Sequence, residues 1–268
     1  MHKLFTHKEQ YDSSLVLHGG SSQQLALRLT NKTFHGELNQ NFLWSDVEGN
    51  VYIQRIPIKG AAIIPYIEED LGESNFLGSG GAYSFRSLPE QAAFIDMCLH
   101  NNLPVVAPIY VTEEEMISPF IPAESYELYL ARGETDAVPL VLRETADAHQ
   151  KGIIYSDRWG PNTLIGDDGR VYEIDFDIAL SGPWTKEFEL AQVVYHTIHF
   201  SSKRDTLVAM IGRELPGKIL AMYDSKMFSR FLWGHAEGRK DHAYAGVLAD
   251  IRIEISTLLT ILNLPKNI

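Results

Sequence analysis

Cysteine is all but missing from this chain of 268 residues, with Cys98 the only one. A single thiol forms no internal disulfide, and a multi-thiolate metal centre cannot be assembled from one chain. Its setting, Ile95-Asp96-Met97-Cys98-Leu99, suits a packed side chain better than a nucleophile. Also lacking is any apolar run of about 18 residues. The opening Met1-His2-Lys3-Leu4-Phe5-Thr6-His7-Lys8 has no apolar stretch of the secretory type, so neither a membrane span nor export is expected, and the expected location is cytoplasmic. Basic residues are in deficit, 23 Lys+Arg against 35 Asp+Glu, for a net charge of −12. That balance argues against a nucleic-acid scaffold, and no direct nucleic-acid binding is expected. No repeat period, low-complexity tract or Gly-x-Ser-x-Gly nucleophile elbow stands out. What is present is a sequence 45% hydrophobic and 10% aromatic, enough to pack one large domain or two lobes of unequal size.

The N-terminal third reads as antiparallel strands. Residues 25–28 and 42–58 carry strand patterns broken at Asn31-Lys32 and at a Glu48-Gly49-Asn50 turn. Residues 71–87, with Gly72, Gly78, Gly80 and Gly81, read as an extended connector. Ser87-Leu88-Pro89-Glu90 is a capping-box start with proline in the first turn, and the apolar pairs Phe94/Cys98 and Ile95/Leu99 predict a helix of about 12 residues after it. Residues 105–111 and 116–121 read as two further strands. The character then changes, so we expect an N-terminal lobe over 1–121 and a mostly helical lobe over 122–268.

In the second lobe, Leu142, Ala146 and His149 share a helical face that Gly152 closes. Thr163-Leu164-Ile165 and Val171-Tyr172-Glu173-Ile174 flank Gly166-Asp167-Asp168-Gly169 as a hairpin. Leu190, Val194 and Ile198 mark another helix, and Val247, Ile251, Ile255, Leu258 and Leu262 a long closing one, although alternating Ile251, Ile253 and Ile255 also suit a strand.

The informative stretch is Tyr155-Ser156-Asp157-Arg158-Trp159-Gly160-Pro161-Asn162, followed by that hairpin and Glu173-Ile174-Asp175-Phe176-Asp177. Asp157 and Asn162 are five residues apart on one tight loop, and Asp175 follows 13 residues later. A hairpin returns its ends to one place, so the three side chains can converge. One carboxylate can then orient a hydroxyl, while an amide oxygen and a second carboxylate hold a divalent cation. Oxygen-only ligands favour Mg2+. A nuclease or sugar-hydrolase reading of Asp157 and Asp175 leaves Asn162 and the hairpin spacing unexplained.

This stretch resembles the protein-kinase-like superfamily, whose catalytic loop carries an Asp with Asn five residues on, followed by a hairpin and Asp-Phe-Gly. The resemblance implies an α+β, two-lobed fold: a small antiparallel sheet with one helix, then a mostly helical lobe. It implies that Asp157 takes up or orients the acceptor hydroxyl's proton, and that Asn162 and Asp175 bind Mg2+ on the ATP phosphates. His149 would pack beneath the loop, and Glu189-Leu190-Ala191 would brace it. The sequence departs from the pattern at Tyr155-Ser156, at Trp159 in place of a lysine, and at Asp177 in place of glycine. Arg158 is then a candidate source of positive charge.

The segment Phe34-His35-Gly36-Glu37-Leu38-Asn39-Gln40-Asn41-Phe42 is similar to the nucleotide-covering hairpin of aminoglycoside and choline kinases. That likeness implies a turn at Gly36 over the nucleotide and Arg55 facing the α- and β-phosphates. The rival reading of Arg55 is a surface residue on an edge strand. Glu90 would pair with Arg55, against the rival that its carboxylate serves the Ser87 capping box. Gly78-Ser79-Gly80-Gly81-Ala82-Tyr83 imitates a kinase glycine loop but lies too close to the Ser87 helix, and reads as a flexible loop that could fold over substrate.

Short intervals, 36 residues from Ile121 to Asp157 and about ten from Asp175 to Thr185, make the chain more similar to minimal kinases. These are the RIO kinases, the kinase subunit of the KEOPS complex and the lipopolysaccharide sugar kinases. The implied function is ATP- and Mg2+-dependent phosphoryl transfer to a hydroxyl, with a small molecule or sugar favoured as acceptor. The alternatives are an atypical protein kinase or ATPase subunit acting with a protein partner, and an ATP-binding pseudokinase. Trp184, Tyr195, His196, His199 and Trp233 could line an acceptor pocket but read better as packing.

Overall fold

The computed structural model describes residues 14–18, 24–35, 39–58, 64–238, 243–244, 247–248 and 251–265. Four strands come first, β1 (Ser14–His18), β2 (Gln24–His35), β3 (Asn39–Ser45) and β4 (Val51–Pro57). Helix α1 (Ile64–Glu73), strand β5 (Ala82–Phe85) and helix α2 (Leu88–His100) follow, then β6 (Tyr110–Val111) and β7 (Met116–Pro119). The fold is α+β, with an antiparallel sheet in the N-terminal part and a largely helical C-terminal part. The chain divides into two compact units, 1–60 with 108–120, and 61–107 with 121–268.

The first unit is one antiparallel sheet in the order β1-β2-β3-β4-β7-β6. Phe42 and Trp44 alternate on one face of β3 and bury against Ile117 of β7, and the Trp44 indole N–H donates to Gln54 Oε1 at 2.8 Å. The β3–β4 turn forms because the Asp46 carboxylate accepts the backbone N–H groups of Glu48 and Asn50 at 2.9 and 2.8 Å, with Gly49 at φ +88°. β2 runs through Asn31-Lys32, where the sequence suggests a break; a register shift between Leu29 and Thr33 absorbs the polar pair. Of the strand expected over 105–111, only β6 and one bridge from Val105 to Glu173 form.

The second unit continues with β8 (Ala123–Ser125), α3 (Tyr126–Ala131), α4 (Val138–Gln150), β9 (Thr163–Gly166), β10 (Val171–Glu173) and β11 (Ile178–Ser181). Helices α5 (Thr185–Phe200), α6 (Arg204–Glu214) and α7 (Ser225–Gly238), strands β12 (Ala243–Tyr244) and β13 (Val247–Leu248), and helix α8 (Arg252–Ile261) complete it. The expected division at residue 121 is not the one observed, because α1, β5 and α2 group with this unit. The physical ties are β5, which pairs antiparallel with β11, and Val105, which bridges to Glu173. The segment 71–87 is therefore not a connector but a helix end, a 3-10 turn at Leu77–Ser79 and a paired strand. Its Gly81 lies against the Phe76 ring, where a Cβ would meet ring carbon at 2.4 Å, so this glycine serves packing. The closing helix starts at Arg252 rather than near 247, because Val247 pairs with Tyr244.

Helix α5 is the axis of this unit, with every residue from Thr185 to His199 buried except Lys186. Phe188, Leu190, Val194 and Ile198 join the main core. A helix buried all round is normally apolar all round, yet this one also buries Glu187, Glu189, Gln192, His196, Thr197 and His199. Among the described residues no helix is long and apolar enough to cross a membrane.

Helix α2 begins as its sequence predicts: Ser87 Oγ accepts the Glu90 N–H, and the Glu90 carboxylate accepts the Ser87 N–H at 2.7 Å. Replacing Ser87 with alanine removes one half of this box and is expected to lower stability by about 1 kcal/mol. A chemical denaturation curve checks it, and an unchanged midpoint would mean that the cap contributes nothing.

Candidate functional site

The loop after α4 is held from below by polar residues of α5. Glu189 Oε2 accepts the Ser156 backbone N–H, and Gln192 Oε1 accepts the Arg158 N–H at 2.8 Å. These two bonds grip the peptide groups on either side of Asp157, so the carboxylate between them is carried on a fixed base. The other oxygen of Glu189 accepts from His149 Nε2 at 3.0 Å, and His149 Nδ1 lies 2.6 Å from the Tyr223 hydroxyl. The bracing that the sequence assigns to His149 and Glu189 is thus a buried chain from Tyr223 to Ser156. Ser156 takes φ +89°, an uncommon backbone for a non-glycine residue, while its Oγ accepts the Leu180 N–H at 2.9 Å.

Asn162 Nδ2 donates to Asp157 twice, to its carbonyl at 2.9 Å and to its carboxylate at 3.2 Å. Those bonds occupy the nitrogen, so Oδ1 is the side-chain atom that could hold a cation. The hairpin of β9 and β10 returns the chain as its sequence implies, and the Ile174 N–H donates to the Asn162 carbonyl at 3.0 Å. Asp175 therefore follows directly on a bond to Asn162, with φ +63°. Asp157 and Asp175 are both half-buried. Burial pushes the Asp157 carboxyl up to about 6; Arg158 works against that rise, and the negative charge of Asp175 adds to it.

Arg158 does not present positive charge to an acceptor, the use its position in the loop suggests. Its side chain turns inward, is 2% exposed, and pairs with the buried Glu173 carboxylate, which also accepts from Thr163 Oγ1 at 2.9 Å. The same guanidinium donates to the carbonyls of Asn162 (2.9 Å), Ile174 (2.9 Å) and Asp175 (3.3 Å). Beyond Asp175, Arg86 donates to the carbonyls of Phe176 (3.0 Å) and Ile178 (2.6 Å) and lies over the Phe94 ring. Tyr155 packs its ring by Phe176, fully buried, so the residue standing in the usual histidine position fills the core.

The other expected site residues are placed as follows. Arg55 lies on β4, paired with Asn41 of β3 and Met116 of β7. β4 is an interior strand, which removes the edge-strand reading. Gly36 lies outside the described residues. Glu90 caps α2 with its carboxylate 2.7 Å from the Ser87 N–H and 3.0 Å from its Oγ, the rival to pairing with Arg55. Tyr195, His196 and His199 are buried on α5, and Trp184 and Trp233 pack at the edge of the same core. Sequence reasoning missed Arg86, Glu173 and Gln192. The signal for Gln192 and Glu189 is a polar pair three residues apart beside the apolar face of Leu190, Val194 and Ile198.

No family model matches the sequence, and no curated protein matches it. Among solved structures the chain is similar to PpkA-294 in its apo form, at 12% identity and a TM-score of 0.45, covering 92% of this chain and 99% of that one. It is also similar to the Rio2 kinase of Chaetomium thermophilum in a complex with ADP/Mg2+ and phosphoaspartate, at 12% identity and a TM-score of 0.40, covering 87% of this chain and 68% of that one.

Proposed function

We propose that this chain is a kinase-type phosphotransferase that moves the γ-phosphate of ATP to a hydroxyl acceptor, with Asp157 as the residue that orients the hydroxyl and takes its proton. The observation that carries this reading is the gathering of Asp157, Asn162 and Asp175 on one braced base, with Asn162 bonded to Asp157 and one guanidinium holding the backbone of Asn162 and Asp175. Asn162 Oδ1 and the Asp175 carboxylate would hold Mg2+, which ordinarily takes one or two carboxylates and completes its shell with waters and substrate phosphates. When bound, it neutralises charge developing on the transferred group. The acceptor oxygen forms the new P–O bond, the bond to the β-phosphate breaks, and the acceptor proton passes to Asp157. The role of Arg55 toward the α- and β-phosphates is part of the proposal. A small-molecule or sugar acceptor is favoured over protein, because β11 pairs with β5 right after Asp177 and α5 starts at Thr185, leaving little free chain to hold a peptide.

The test is ATP binding with and without Mg2+, by calorimetry, on the wild type and on Asp175→Ala. The expected result is Mg2+-dependent binding that weakens at least tenfold in the variant, about 1.4 kcal/mol. A wild type whose nucleotide affinity ignores Mg2+ would sink the proposal. Binding without turnover on any acceptor would favour the pseudokinase reading.

A further inference from the structure

We infer that Arg158 is the positioning residue that sets the spacing of the two metal donors, an inference that rests on the kinase-type reading of the site. Both terminal nitrogens are used, and each makes two bonds: one to Glu173 and the Asn162 carbonyl, the other to the Ile174 and Asp175 carbonyls. Asn162 and Asp175 sit at opposite ends of a hairpin, so their separation depends on what ties the ends together. A planar fork with donors at fixed angles ties three carbonyls and the Glu173 carboxylate at once, four acceptors against the three N–H groups of an ammonium.

The backbone at Asp175 gives the fork a second task. Asp175 holds φ +63°, left-handed backbone that is uncommon for non-glycine residues and that aspartate enters more readily than most. Arg158 takes the carbonyls of Ile174 and Asp175, and Arg86 takes those of Phe176 and Ile178, so two guanidinium groups clamp this peptide from both sides. Glu173 supplies the counter-charge that lets Arg158 lie buried, with Thr163 holding the shared oxygen. With its terminal nitrogens bonded to Glu173 and the three carbonyls, Arg158 acts through the two donors.

The experiment titrates Mn2+ into the whole protein, following the free ion by electron paramagnetic resonance, for the wild type, Arg158→Lys and the double variant Arg158→Met/Glu173→Leu. The double variant removes both buried charges together, so neither is left stranded, and a denaturation curve on each protein reports folding. The Mn2+ dissociation constant is expected to rise about 10–100-fold in both variants, with the double variant unfolding as cooperatively as the wild type. In Arg158→Lys the Mg2+ concentration that half-saturates turnover should rise similarly, while saturating Mg2+ restores most of kcat. A folded Arg158→Lys or double variant that binds Mn2+ as the wild type does would overturn the inference and leave the kinase-type reading standing. A wild type that binds no Mn2+, with or without ATP, would overturn both.

Discussion

Asparagine in place of Asp157 is expected to slow phosphoryl transfer by about 10²–10⁴-fold, with Mg2+-dependent ATP binding within about threefold of the wild type. The substitution keeps shape and keeps an oxygen that can accept from Asn162 Nδ2, as the Asp157 carboxylate does at 3.2 Å. The backbone on either side stays held, by Glu189 at Ser156 and by Gln192 at Arg158. What is lost is the group that can take a proton from an attacking hydroxyl. Single-turnover rates with ATP and an acceptor pool, beside calorimetric binding, separate the two effects. Undiminished transfer would remove Asp157 from the chemistry. Loss of ATP binding together with transfer would place it among the nucleotide or metal contacts.

The parts of the site that could be read from the sequence are those fixed by local geometry. Asp157 and Asn162 share one turn, the hairpin returns Asp175 to Asn162, and Ser87 and Glu90, three residues apart, close a capping box. Arg158 was legible as a residue but not as a direction. Arginine is mostly exposed, and only the buried carboxylate of Glu173, 15 residues on, turns it inward. The segment 71–87 reads as loop because its glycines are turn signals, while the strand that makes β5 a strand lies more than 90 residues later in β11. Similarly, Glu189 and Gln192 sit in an apolar period, and their partners are peptide groups more than 30 residues upstream. Those pairings belong to tertiary structure, and no window of sequence contains both halves.

Acid is expected to destabilise the fold steeply below pH 6.5, through three histidines of the helical core. His196 is 2% exposed, His235 1% and His199 9%, and no ring nitrogen of His196 or His235 has a hydrogen-bond partner among the described residues. Around them stand Tyr195, Phe188 and Phe200, with Arg204 bonded to the His199 carbonyl at 3.4 Å. Burial holds His235 down to about 3 and, with Arg204, His199 down to about 4; burial, then His199 and His235, hold His196 well below its ordinary value. These groups stay neutral in the folded chain while the unfolded chain takes up protons from about pH 6.5 downward. The unfolded state therefore binds more protons, and stability falls as pH falls, until the folded values near 3–4 are reached. At pH 5.5 the unfolded chain holds these protons and the folded core does not, so the three histidines together cost on the order of a few kcal/mol of a typical total of about 5–15 kcal/mol. Asp157, Glu127, Glu144 and Glu173 oppose them, since burial raises their values and each binds a proton in the folded state first. Urea midpoints of the wild type at pH 7.5 and 5.5 measure the net effect. His235→Phe keeps a ring between Phe188 and Tyr195 while removing one titrating group, so it should lose less stability over the same interval, by on the order of 1 kcal/mol. A His235→Phe variant that loses as much stability as the wild type would mean that His235 is charged, or reaches water, in the native fold.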